Sequence, residues 1–483
     1  MYRLAIVETH PIQYKVPWFR ALARHPEVDL TVFYCMIPDA RQQGVGFGVE
    51  FKWDIPLLDG YRWVLLENVA QNPGVTHFSG CDTPSIGDAL AGRLPTEHTD
   101  DTDASTGRGS APLGERLPHC PKPCFDAVIV NGWLVKSCRQ AVRACRRQGI
   151  PVIVRGESSD LEPRPWWKTV RHRWLLRRYD AFLAIGEANR AFYLRRGVRP
   201  ERIFFGPYCV DNQWFRDHCP RSTRNTLRER RAITEGAVCF LFCGKFEPKK
   251  RPMDILRALK RTGAGRAPTE HTENTEGQRS GESRVESAGP GAMPTEFGPR
   301  TAGHGPRTTD HQLPTTDHGL RTFPLQPSPF SLQLSIHLLM VGDGDLRPEC
   351  ESFAREHRLP VTFTGFLNQT ELPAAYAVAD CLILPSDYGE TWGLVVNEAM
   401  ACGLPAITSD RVGCHPDLVL PGSTGAVFPF GDVAALAEVM RQFAVDPERL
   451  AAMGQAAREH VQRYSVETLV EGTLAAVRSV GRK

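Results

Sequence analysis

Short apolar runs recur along the chain, each bounded by turn-forming residues: YRLAIVE from Tyr2, VDLTVFYC from Val28, FDAVIVNGW from Phe125, PVIVRGE from Pro151, VCFLFCG from Val238, SIHLLMVG from Ser335 and CLILP from Cys381. Apolar runs of this length, continuous rather than alternating, fit strands covered on both faces, as in a parallel sheet. Between them WFRALARH, SCRQAVRACRRQG and PMDILRALK carry apolar residues at helical spacing. Strand and helix therefore alternate, which predicts an α/β fold with crossover helices. A chain of 483 residues is long enough for two such domains. The boundary is placed after the GPYCVDNQWF run, giving 1–215 and 216–483. Ligands of these folds collect at the carboxyl ends of strands. That puts His10, Gln13 and Tyr14 in a cleft of the first domain, with Arg155 ending a later strand. His10 reads equally well as a turn residue before Pro11, and Arg155 as a structural ion-pair partner.

Two stretches break the pattern. Residues 71–123 and 262–331 are polar and rich in Thr, Asp, Gly and Pro, a composition that cannot bury enough apolar surface to offset chain entropy. Disorder is expected for both. They share a near-repeat, AGRLPTEHT from Ala91 and AGRAPTEHT from Ala264, and read as related inserts in loops of an older fold. His98, His271, His304, His311 and His318 lie inside them and read as solvated spacer rather than a metal-binding tract.

A formal net charge of +3 gives no nucleic-acid signal. No segment reaches the roughly 18 apolar residues of a membrane span, and MYRLAIVETHPIQY lacks the order of a secretion signal, so a cytoplasmic protein is expected. The fourteen cysteines are scattered without histidines in a finger-like order, and no structural metal is predicted. PRPWWKTVRHRWLLRRY, from Pro163, is basic and aromatic. It could lie on anionic lipid at the inner membrane face, but packing of Trp and Leu on the core with arginines to water is favoured.

Candidate chemistry concentrates between Asp380 and Thr408, DCLILPSDYGETWGLVVNEAMACGLPAIT. Glu390 and Glu398 are eight positions apart, roughly 12 Å along a helix. Carboxylates acting on one glycosidic bond lie about 5 to 9.5 Å apart, so a hydrolytic pair is disfavoured. An elongated, polyhydroxylated ligand gripped at both ends suits the spacing; a solvated helix carrying two glutamates is the bland alternative. Upstream, Lys245 and Lys250 flank a turn before a helix opening at Pro252, a combination that suits a diphosphate.

The run PSDYGETWGLVVNEAMACGLPAI, with Gly389-Glu390, Gly393-Leu394, Glu398-Ala399-Met400 and Gly403-x-Pro405 in one register, resembles the donor-site signature of group 1 glycosyltransferases, a retaining family of GT-B fold. The resemblance implies two doubly wound Rossmann-like domains facing across a cleft, with the last helix crossing back to the first. It places Glu390, beside Thr391, Gly393 and Leu394, at the hydroxyls of the donor sugar, and Glu398 at the ribose. Lys245 and Lys250, on the loop that Gly244 opens, would neutralise the leaving diphosphate, Gly342 and Gly344 border the nucleotide, and Gly365 and Phe366 hold the base. His10, Gln13, Tyr14 and Arg155 become acceptor-side candidates. The implied reaction moves sugar from a UDP- or GDP-linked donor to a sugar or lipid-linked sugar acceptor, with retention and without a metal, in cell-surface polysaccharide or glycoconjugate synthesis. Relatives often carry a histidine near Arg155-Gly156-Glu157, so a non-catalytic nucleotide-sugar-binding protein is one alternative. A nonhydrolysing nucleotide-sugar epimerase and a sugar phosphorylase are others.

Overall fold

Seven strands form a parallel sheet: β1 Tyr2–Glu8, β2 Val28–Tyr34, β3 Trp63–Leu65, β4 Ala127–Asn131, β5 Val152–Gly156, β6 Ala181–Ala184 and β7 Ile203–Phe205. Their order is β3-β2-β1-β4-β5-β6-β7. A second parallel sheet holds β8 Val238–Cys243, β9 Ile336–Val341, β10 Val361–Gly365, β11 Cys381–Leu384, β12 Ala406–Ser409 and β13 Gly425–Phe428, in the order β10-β9-β8-β11-β12-β13. This computed structural model describes residues 1–93, 124–264 and 334–481.

The strands form where the apolar runs are, because both faces are covered. Along β8, Cys239, Leu241 and Cys243 pack into one core and Phe240 and Phe242 into another. Both β8 cysteines are therefore small buried hydrophobes. The helix Val466–Val480 turns Leu469, Leu474 and Val477 into the core beneath β1, β2 and β4, in the first sheet. Tyr208, Val210 and Phe215, which follow β7, share a core with Leu384 and Met400 of the second sheet, so apolar packing joins the two.

In each sheet the chain winds outward from one strand and then returns to that strand's other side. The reversal lies between β1 and β4 in the first sheet and between β8 and β11 in the second. Loops leaving such a pair diverge and open a crevice at the strand ends.

Two expectations need correction. Residues 71–93, assigned to a disordered insert, include the helix Ile86–Leu90, with Cys81, Ile86, Ala89 and Leu90 buried against the first core. Lys136 and Gln140 anchor the segment by donating to Asp82, at 2.5 and 2.7 Å. A five-residue helix is too short to show an apolar period. The rest of that insert, the 265–331 part of the other, and the five histidines lie outside the described residues.

The second correction concerns the helix Trp166–Leu176. Only His172 and Leu176 are buried, whereas Trp166 is 77% and Trp174 57% exposed, with Trp167 and Val170 also exposed. Arg171 stacks on Trp167 at 5.6 Å and Arg178 on Trp174 at 3.9 Å. The tryptophans thus share the solvent side with the arginines.

Candidate functional site

The loops after β8 and β11 meet at the second sheet's reversal point. Asp387 N–H donates to the carbonyl of Lys249 at 2.9 Å, and the ammonium of Lys250 is paired with the Glu390 carboxylate, both side chains largely buried. Lys250 precedes the helix Pro252–Thr262, whose first N–H groups add positive potential beside the pair. Gly342, φ +122°, follows β9 and packs directly on the β8 loop, where a Cβ would lie 2.0 Å from the Gly244 carbonyl oxygen. At Gly344 a Cβ would lie 2.9 Å from the Phe246 carbonyl oxygen. Only glycine permits this approach. Gly342 N–H in turn donates to the Gly365 carbonyl at 2.8 Å, so the loops after β8, β9 and β10 form one stack.

Glu398 lies in the helix Leu394–Ala401, which follows Thr391 and Gly393. Because that helix begins only at Leu394, helical rise does not measure the whole separation from Glu390. Glu398 is buried and accepts a 2.5 Å hydrogen bond from the Tyr376 hydroxyl. Burial raises its carboxyl to about 7, although the Tyr376 bond works the other way. Its charge reaches Cys243 at the end of β8, as does that of Lys250.

Lys245 points elsewhere. Its ammonium donates to the Val45 carbonyl at 2.9 Å and lies 4.3 Å from the centre of the Phe47 ring, both in the first half of the chain. Burial, then the charges of Lys249 and Lys250, lower its pKa against an opposing pull from Glu247. Phe366 likewise packs on Phe51, with ring centres 4.3 Å apart, and meets Phe47 edge-on at 5.3 Å. The same 45–54 loop takes a 2.8 Å bond from Asn368 to the Lys52 carbonyl and bonds from Thr370 to Asp54. A loop of the first half thus lies on the residues expected to hold phosphate and base. Its aromatic sequence, GFGVEFKWD, is visible in the chain, but nothing local tells where it docks.

Across the crevice, Thr391 donates to Glu157 at 3.1 Å, and the other Glu157 oxygen accepts from the Tyr208 hydroxyl. Arg155, assigned to the cleft surface, lies beneath it. It is buried, stacked 4.3 Å from Tyr208 and 5.3 Å from Trp18, and donates to the Pro207 carbonyl at 3.1 Å. At the end of β1 a pair missed in the sequence appears: Glu8, fully inside, takes two bonds from Lys15 at 2.9 and 3.0 Å and one from Asn131 on β4. Burial raises the Glu8 carboxyl against the opposing pull of Lys15. His10 and Tyr14 stand beside this pair. His10 is bonded to the Thr9 hydroxyl at 2.9 Å and, by burial and the nearby Lys15 charge, is lowered to about 4, so it is neutral at pH 7. Tyr14 meets Tyr208 edge-on at 6.0 Å, and Gln13 sits half-buried in the same turn.

The structure therefore brings Lys250, Glu390 and the glycine loops together, buries Glu398 against Tyr376, turns Lys245 toward the first half, and removes Arg155 from the surface. Chemically, the crevice offers cations for an anion and carboxylates for hydroxyl groups.

Residues 320–460 match the family model for glycosyl transferases group 1, and residues 90–209 match that for the glycosyl transferase 4-like domain; together they take in more than half of the chain. Sulfoquinovosyl transferase SQD2 of Arabidopsis thaliana is 38% identical over 130 residues, covering 26% of this chain and 25% of that protein. The D-inositol 3-phosphate glycosyltransferase of Streptomyces avermitilis is 38% identical over 113 residues, covering 23% and 24%. The chain thus spans about a quarter of the length of these curated relatives. HepE of Anabaena, solved with UDP and glucose, superposes with a TM-score of 0.60 at 14% identity over 99% of this chain and all of that one, a likeness of fold. The fold is GT-B. With a family model matched in each half, the chain belongs to the group 1 glycosyltransferases.

Proposed function

We propose that the protein transfers a sugar from a UDP- or GDP-linked donor to an acceptor hydroxyl, with retention at the anomeric carbon, in the assembly of a cell-surface polysaccharide or glycoconjugate. The observation that carries this reading is the Lys250–Glu390 pair at the reversal of the second sheet, with Glu398 buried on the helix that follows. HepE, which shares the fold, was solved with UDP and glucose. In the proposed reaction the bond from the anomeric carbon to the β-phosphate oxygen breaks as the acceptor oxygen bonds to that carbon. The acceptor's proton leaves with the departing phosphate. Lys250, with Lys245 once released from Val45, stabilises charge growing on that phosphate, a part a divalent cation plays elsewhere. Glu390, freed from Lys250, holds sugar hydroxyls, and Glu398 accepts from the ribose. Gly244, Gly342, Gly344, Gly365 and Phe366 shape the nucleotide site, with Thr391, Gly393 and Leu394 at the sugar. Residues 1–215 serve the acceptor through His10, Gln13 and Tyr14, and 216–483 the donor.

Incubation with labelled UDP- and GDP-sugars tests this. Release of nucleotide with transfer or slow hydrolysis supports an enzyme; binding without turnover supports a non-catalytic protein, and inversion within the sugar nucleotide an epimerase. The product's anomeric proton coupling reports retention.

The exposed tryptophans favour a second element of the reading: peripheral contact with an anionic membrane through 163–179, placing the protein at the inner face with a lipid-linked acceptor. Trp rings at the headgroup level among arginines are the usual composition of such a surface. Among the described residues no helix is long and apolar enough to cross a membrane.

A further inference from the structure

Beside the loop that follows β1 lies a cavity of about 150 Å³, partly open to solvent, to which Pro11, Ile37, Phe51, Trp53, Leu57 and Leu58 contribute. Its surface is predominantly apolar, with Gln43 and Lys52 as polar neighbours. A cavity of roughly this volume, lined by aliphatic and aromatic side chains, accommodates a benzene ring. One polar group in its wall residues is unanswered: the Trp53 indole N–H is buried with no hydrogen-bond partner. A buried donor left unpaired is costly, so this wall is not packed to the limit. The position matters as well, since Pro11 adjoins His10 on the side of the crevice assigned to the acceptor. Phe51 has a double part: it lines the cavity and stacks on Phe366 at 4.3 Å.

We infer that this cavity seats an apolar group of about six carbons attached to the acceptor, an alkyl or aryl aglycone. The inference rests on the reading of the first half as the acceptor side, and makes the acceptor an amphiphile rather than a plain sugar. Specificity at this point would come from the length and shape of the aglycone.

The test uses the full chain with ethanol, butan-1-ol, hexan-1-ol, octan-1-ol and decan-1-ol as probes, their binding followed by ligand-observed NMR, with UDP binding measured in parallel. Affinity is expected to rise by about fourfold per methylene up to six carbons, as each buried CH₂ contributes, and then to level off as the volume fills. Leu57→Trp, which fills the space, should abolish the chain-length dependence while leaving UDP binding intact, and Trp53→Ala, which enlarges it, should move the plateau to longer chains. Should Leu57→Trp lose UDP binding through misfolding, the plateau in the unaltered protein and the Trp53→Ala result decide. Affinity that climbs without a plateau, or that is unchanged in both variants while UDP still binds, overturns the inference. Failure of UDP itself to bind would instead count against the donor-site reading.

Discussion

Replacing Glu398 by Gln should make the protein more stable, and increasingly so as pH rises. The carboxyl is buried, accepts one bond from Tyr376, and has been raised by burial from its ordinary 4.5 to about 7. That difference corresponds to about 3 kcal/mol between the protonated and ionised forms. The folded chain binds this proton more tightly than the unfolded chain. The stability contribution is therefore fully present below pH 4.5 and is lost as pH rises through 7. Gln keeps an oxygen for the Tyr376 hydroxyl but has no proton to lose. Urea unfolding of both proteins between pH 5 and 8.5, followed by tryptophan fluorescence, should show the stability gap widening by about 2–3 kcal/mol toward alkaline pH. A gap that is constant, or that widens toward acid, refutes the account. If Glu398 also receives ribose hydroxyls, UDP affinity in the unaltered protein should strengthen from pH 6 to 8 while its stability declines, and the Gln variant should lose that trend.

Three further outcomes are expected. Lys250→Met removes the cation facing Glu390 and should lower kcat about 10²-fold or more with UDP- or GDP-sugar, whereas EDTA should leave turnover unchanged; a metal-restored loss after EDTA would count against the lysine-based account. Gly342→Ala puts a methyl group 2.0 Å from the Gly244 carbonyl oxygen and should cost about 1–3 kcal/mol together with UDP binding, read by thermal denaturation and titration. Trp166→Glu combined with Trp174→Glu should reduce sedimentation with anionic vesicles at least about tenfold without altering the urea midpoint; unchanged sedimentation would exclude this helix as the membrane contact.

Much of the fold can be read from local composition because parallel strands are covered on both faces. β8 and β11 appear as uninterrupted apolar runs for that reason, and β1 and β9 as runs with a polar residue only near their ends. β3 and β7 have three residues each, none of them buried, and leave no comparable trace. The residues of the second-sheet crevice are legible as a motif, since loops leaving neighbouring strands must converge. Their pairing is not: Lys250 and Glu390 are 140 positions apart. The Glu8 cluster is hidden for a related reason, because Asn131 reaches Glu8 from 123 positions away and a glutamate ending an apolar run reads as a strand leaving the core. The tryptophans of 166–174 mislead in the opposite sense. Aromatic residues at helical spacing ordinarily mark a packed face, and only the folded chain shows which side of the helix is covered.

Phe51, with one ring shared between an apolar hollow and the stack on Phe366, carries a kinetic consequence. A nucleobase that slides against Phe366 must shift that ring, and the shift reshapes the chamber on its other side. The apparent KM for one substrate should therefore change with the concentration of the other, so that reciprocal plots intersect off the horizontal axis. Trimming Phe51 to Ala should uncouple them, so that each substrate is bound as though the other were absent.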